Sequence, residues 1–145
     1  MTLVELTKLV VTVGALVRDP HGWAFGPGAR GRLAEGAAGV AEACQGATWG
    51  EQRCVVLLVV MGAWESAWRT DAVGDGGRAR GVWQEWYGVE GGWAAQARHY
   101  MGTVARAMRV CPEHPISALA GERCGGDVAV RREKEMARVV GLLGR

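Results

Sequence analysis

The run Val55 to Trp64, VVLLVVMGAW, leaves few options for how this chain can fold. Its ten consecutive apolar residues suit no exposed surface, and a bilayer crossing requires roughly 20. A buried helix at the centre of a helical domain accounts for them. Thr48 and Glu51 stand in capping-box spacing ahead of the run, so the helix is predicted from about Trp49 to Trp64 or beyond. Leu58, Met61 and Glu65 then share one face at i, i+3 and i+7, which delivers a carboxylate to the edge of the core. A carboxyl group against apolar walls resists ionisation, the setting of a general acid.

The rest of the chain repeats the helical period. Thr2 and Glu5 form a second capping-box pattern, followed by Leu3, Leu6, Val10, Val13 and Val17 until Asp19-Pro20 stops the helix. Residues 20–31 are rich in Gly and Pro and read as a connector. They contain a G-x-G-x-x-G string, but no strand precedes it and Pro27 sits inside it, so a dinucleotide site is not expected. Leu33, Ala37, Val40 and Cys44 mark a second helix. Ala97, Met101, Val104 and Met108, opposed by Arg98, Arg106 and Arg109, predict an amphipathic helix over about 93–110, ended by Cys111-Pro112. A last helix over about 128–143 is expected to turn Ala129, Met136, Val140 and Leu143 inward and Arg131, Arg132 and Lys134 mostly outward.

The expected fold class is therefore all-α, one domain over residues 1–145, with residues 1–45 as a helical extension packed on a core of residues 46–145. Net charge is only +2, yet 15 of the 17 basic residues are Arg, which favours planar multidentate contacts and gives no nucleic-acid footprint. Lys8 interrupts the first apolar stretch, so a cleavable secretory leader is not expected. Cys44, Cys54, Cys111 and Cys124 permit three pairings. Cys44 with Cys54 and Cys111 with Cys124 is the favoured one, against free buried thiols or a zinc site using Cys111 and His114. His21, His99 and His114 are scattered, and none accompanies a Ser or Cys in a nucleophile context.

The stretch ESAWRTDAVGDGGRARGVWQ, residues 65–84, carries a family resemblance. Glu65-Ser66, Ala72-Val73 and Gly81-Val82-Trp83-Gln84 resemble the first two motifs of lysozyme-like lytic transglycosylases, phage and bacterial members in particular. In that family a Glu-Ser pair ends a helix, and a Gly-x-x-Gln segment lines the opposite wall of a glycan groove. The resemblance spans residues 55–86, extends toward Arg138 and does not include the first 45 residues. It departs from the family at the third motif, which supplies a Tyr. The corresponding region is PISALAGERCGG, where Leu119 or Glu122 takes that position and neither reproduces the phenol; either Tyr87 or Tyr100 takes over from another direction, or the site works without it, or activity has decayed.

The resemblance implies a lysozyme-like fold with a Gly-rich loop beside the groove, and cleavage of the bond between N-acetylmuramic acid and N-acetylglucosamine. Glu65 would be the single catalytic residue, with Ser66, Trp68, Arg78, Gly81, Trp83, Gln84 and Tyr100 against substrate. Four indoles, Trp64, Trp68, Trp83 and Trp86, flank the motif, and Trp68 and Trp83 are the ones expected to meet sugar rings. Arg78 and Arg80 could meet muramyl or peptide carboxylates. Hydrolysis in place of transglycosylation would need a second carboxylate, with Asp71, Asp75 and Glu85 as candidates; turn chemistry is the competing reading of the two Asp residues. No cofactor or metal is expected, and Val73 stands where a calcium loop would need an oxygen ligand. The expected partner is peptidoglycan, reached in the periplasm or cell wall from a phage particle or through a holin-type lysis system. A silent glycan-binding or virion structural protein is the reading from a different class.

Overall fold

The computed structural model describes residues 1–18, 25–86 and 90–144. Its elements are α1 (Leu3–Leu16), α2 (Gly26–Cys44), α3 (Glu51–Ser66), β1 (Val73–Gly74), a 3-10 turn (Asp75–Gly77), β2 (Ala79–Arg80), β3 (Glu85–Trp86), α4 (Trp93–Val110), α5 (Pro115–Leu119) and α6 (Asp127–Leu143). The fold is mostly helical, and it corrects the all-α expectation by adding a small antiparallel sheet in the order β1-β2-β3. Val73 pairs with Arg80, Ala79 with Trp86 and Arg80 with Glu85. Strands of two residues are too short to show an alternating pattern, so the period-two signal that reveals strands was absent.

Helix α3 is the axis of the core. Every residue from Cys54 to Ala63 is buried, as expected of a helix that is apolar all round. Leu6, Val10 and Val13 of α1, Leu33, Ala37 and Val40 of α2, Val104 of α4, Ile116 of α5 and Ala129 and Val139 of α6 belong to the same cluster. At the crossing of α2 with α4, a Cβ on Gly36 would fall 1.9 Å from the Trp93 ring, so this contact requires glycine. Disulfides Cys44–Cys54 and Cys111–Cys124 join α2 to α3 and the end of α4 to the loop before α6. Cys111 is thereby committed to sulfur, which removes the zinc alternative.

Helix boundaries follow local chemistry in some places and distant partners in others. Thr2 and Glu5 close a reciprocal capping box on α1. The predicted Thr48–Glu51 box is not made; α3 starts at N-cap Gly50, and the Glu51 carboxylate accepts from the Met1 ammonium at 2.8 Å and the Gly46 amide at 2.9 Å. The bond from that ammonium, and then the one from Gly46, hold the Glu51 carboxyl below its ordinary pKa. The predicted connector is also shorter than expected, since α2 already starts at Gly26, and residues 20–24 lie outside the described set. In α6 the inward face is rotated from the prediction: Val140 is exposed, while Arg132, Glu135 and Val139 turn toward the protein.

Candidate active site

The end of α3 is built by residues that reach it from far away in sequence. Ala67 and Trp68 both take the left-handed conformation, with φ of 51° and 61°, an unfavourable backbone for side-chain-bearing residues. Arg32 of α2 holds this turn with two guanidinium N–H groups on the Ala67 carbonyl, at 3.0 and 3.3 Å. The reversed chain drives Trp68 into the core, where it is fully buried and donates its indole N–H to Val59 O at 2.9 Å. Trp68 therefore has no face left for a sugar, which corrects that expectation. Ser66 donates to Val82 O at 2.7 Å and accepts from the Arg69 amide at 3.0 Å, so its hydroxyl latches the helix end to the Gly81–Gln84 segment.

Glu65 is 24% exposed, at the boundary of the core, and it does not meet apolar walls alone. Arg132 of α6, predicted to face outward, turns in and donates from Nη1 to Glu65 Oε1 at 2.6 Å. Its guanidinium lies 5.3 Å from the centre of the Trp64 ring. Arg132 Nε and Trp64 Nε1 are buried and meet no acceptor among the described residues. A signal for this inward turn existed: Arg132 sits three residues after Ala129 and four before Met136, on the same helical stripe.

The hairpin, latched to the end of α3 by Ser66, borders a cleft whose lining residues do not include Glu65. Gly81 has φ of 84°, and a Cβ there would fall 2.5 Å from Gln96 Oε1. Gln96, which sequence reasoning missed, accepts from the Val82 amide and donates to the Thr70 and Gly91 carbonyls, at 2.9, 3.1 and 2.8 Å. Gln84 spends its amide N–H groups on Ala72 O at 3.2 Å and Gly81 O at 2.9 Å, so it ties the hairpin together while lining a cleft of about 250 Å³.

Tyr100 of α4 reaches the same cleft, which Leu119 also lines. Its ring stacks on Trp83 at 5.2 Å with 12° between planes. Burial first, then the charges of Glu65 and Glu85, push its phenol well above the ordinary tyrosine pKa. Trp83 is 4% exposed and bonds Leu58 O at 2.8 Å, leaving little of its surface to the cleft. Trp86 is the open indole, 54% exposed, with its N–H on Asp75 Oδ2 at 3.1 Å and the Arg78 guanidinium 5.5 Å from its ring. Glu85 borders the cleft as well, with His99 Nδ1 at 2.5 Å and the Thr103 hydroxyl also bonded to it.

The remaining predicted residues fall elsewhere. Asp71 borders a separate recess of about 180 Å³ with Arg80 and Gln96. Asp75 has φ of 49° and accepts from the Arg78 amide in a turn. Glu122 accepts from the Val128 and Ala129 amides and so caps the first turn of α6. Tyr87 lies outside the described residues. Among the described residues, no group of three or more His, Cys, Asp or Glu side chains is placed to hold a metal ion. A larger groove of about 710 Å³ lies at the other end of α3, between Gly50–Leu57, α5 and α6, and contains none of the predicted site residues. No family model, curated protein or solved structure matches this chain.

Proposed function

We propose that this protein cleaves the glycan strands of peptidoglycan as a lysozyme-like lytic transglycosylase, with Glu65 as its single catalytic carboxyl group. In this reading Glu65 gives its proton to the glycosidic oxygen as the C1–O bond breaks. The resulting carboxylate then takes the proton of the muramyl 6-hydroxyl, whose oxygen closes on C1 to form the 1,6-anhydro ring. The carboxyl group thereby recovers the proton it gave up.

The observation that carries the reading is Tyr100. Its ring, from α4, is part of the lining of the cleft that Leu119 also borders, which supports a tyrosine entering from α4 where the third motif lacks one. Trp86 supplies an exposed flat face beside it for a sugar ring. The two disulfides support action in an oxidising compartment such as the periplasm or cell wall, with a phage particle or a lysis system as the means of delivery.

A second reading, hydrolysis by a muramidase, is favoured by Glu85. This carboxylate is 10% exposed, borders the cleft and is held by His99, where it could activate water. Digestion of purified peptidoglycan followed by mass spectrometry separates the readings, because anhydro-ended fragments mark transglycosylation and reducing ends mark hydrolysis. Glu65→Gln is expected to lower muropeptide release by about 10²–10⁴-fold with the circular dichroism spectrum unchanged. Full activity in that variant would remove Glu65 from the mechanism.

A further inference from the structure

We infer that α1 carries a self-association face: its outer stripe of Val4, Lys8, Val11 and Ala15 docks in the groove between α3 and α6 of a second copy of this chain, forming a closed pair. This interface is independent of the glycan chemistry.

The anomaly lies in α1. A helix on the surface of a single domain keeps its apolar residues on one stripe, whereas one that is apolar all round is buried on every side. Helix α1, LVELTKLVVTVGAL, has only two charged residues, Glu5 and Lys8. Leu6, Val10 and Val13 fill its inner face. On the opposite face Val4, Lys8, Val11 and Ala15 recur at i, i+4, i+7 and i+11, and all stay exposed, Val4 at 64% and Val11 at 47%. At 14 residues the helix falls short of the roughly 20 that cross a bilayer. Within one copy its outer apolar face has no cover among the described residues.

The groove of about 710 Å³ matches that face in shape and charge. Val56 and Leu57 of α3 and Met136 and Val140 of α6 give it apolar walls, and Val140 is still 44% exposed. The stretch of α6 from Glu133 to Val140 rises about 10.5 Å, as does α1 from Val4 to Val11, so the two runs agree in length and fit a helix laid in a groove. Glu51, Glu113 and Glu133 border the groove, with Arg53 as the one cationic side chain among the described lining residues. Glu51 is spent on the Met1 ammonium and the Gly46 amide, and Glu133 is shared with His114 Nδ1 at 3.2 Å. Glu113 is exposed, and Lys8, between Val4 and Val11 on the stripe, brings an ammonium on a long stem to meet it. Two α1 stripes packed on each other would instead cover Lys8 with no carboxylate on either stripe, which disfavours that seat. Met1 borders the groove and leads into α1, so the two surfaces adjoin and a two-fold axis places each α1 in the other copy's groove.

Sedimentation equilibrium of the full chain from about 1 μM to about 1 mM tests this. The wild type is expected to pass from one copy to two within that range. V11E and V140E, both at exposed positions, are expected to keep the circular dichroism spectrum and Tm. Each is expected to weaken association by at least about tenfold, because it places an unpaired carboxylate in the contact. The seat is read from a charge swap: K8E is expected to weaken association by about fivefold, and adding E113K to K8E to restore it to within about twofold of the wild type. A wild type that stays monomeric up to about 1 mM overturns the inference. Association that V11E abolishes while V140E and the swap leave it untouched also overturns it, since α1 would then pack on α1. A monomer that cosediments with phosphatidylcholine vesicles, and loses that binding in V11E, overturns it by assigning the stripe to a membrane surface.

Discussion

Trp68 and Trp86 have the same side chain and opposite situations, and the difference is set by a few backbone angles. The left-handed turn at Ala67 and Trp68 folds one indole under α3, while Trp86 ends a two-residue edge strand and stays open. Trp68→Ala is expected to cost about 3–5 kcal/mol of stability through lost burial and the cavity left behind. Trp86→Ala is expected to change stability by less than about 0.5 kcal/mol and to raise KM for glycan strands. Chemical denaturation and steady-state kinetics on the two variants check both halves. If the proposed function holds, an unaltered KM in the Trp86→Ala variant would remove that indole from the proposed glycan groove. Ala67 offers a test of opposite sign: Ala67→Gly keeps the carbonyl that Arg32 bonds and relieves the left-handed strain, so it is expected to add about 1 kcal/mol, read as a higher denaturation midpoint.

At the scale of elements, the ends of helices are completed by other helices. The last carbonyls of α1 have no basic residue of their own turn nearby. Arg30 of α2 bonds Gly14 O and Val17 O, both at 3.2 Å, and Arg138 of α6 bonds Leu16 O at 2.5 Å. These guanidinium groups satisfy orphan acceptors and complement the negative end of the helix. The same device operates at α3, where Arg32 secures Ala67 O directly after the Glu65-Ser66 pair. Residues 1–45, which carry no part of the family resemblance, thus supply the strut that orients the candidate catalytic end. The sheet is likewise a positioning element, since its short strands put Gln84, Glu85 and Trp86 along one wall of the cleft.

Across the whole molecule, the first and last helices are joined through Glu135. Its side chain is 5% exposed, and it accepts from the Arg18 amide at 2.8 Å, the Arg18 guanidinium at 3.1 Å and Arg138 Nε at 2.6 Å. Burial works against ionisation, but the bonds from Arg138 and Arg18 outweigh it and lower the Glu135 pKa from its ordinary value. A depressed folded pKa gives stability that is complete above the ordinary carboxylate range and lost as pH falls through the folded value. Tm measured from about pH 7 to about pH 3 should fall more steeply for the wild type than for Glu135→Gln at the acid end. At neutral pH the variant should be less stable by about 2–3 kcal/mol, because two arginines lose their common acceptor. Parallel acid limbs for the two proteins would show that Glu135 does not carry the pH dependence.

Much of the helical frame was legible in the residues. The apolar run dictated a buried central helix, Thr2 and Glu5 dictated a cap, and the stripe of Ala97, Met101 and Val104 dictated the span of α4, because capping and periodicity act within a few residues of the chain. The short separations of Cys44 from Cys54 and of Cys111 from Cys124 made their pairing readable for the same reason. The tertiary structure alone decided what each candidate side chain meets. Arg132 finds Glu65 across 67 positions, Gln96 gathers the Gly81 turn from α4, and Tyr100 reaches the cleft from a different helix than its motif would suggest. Such pairings depend on how helices cross once their apolar faces are buried, and no spacing within one helix encodes where its polar residues will find partners.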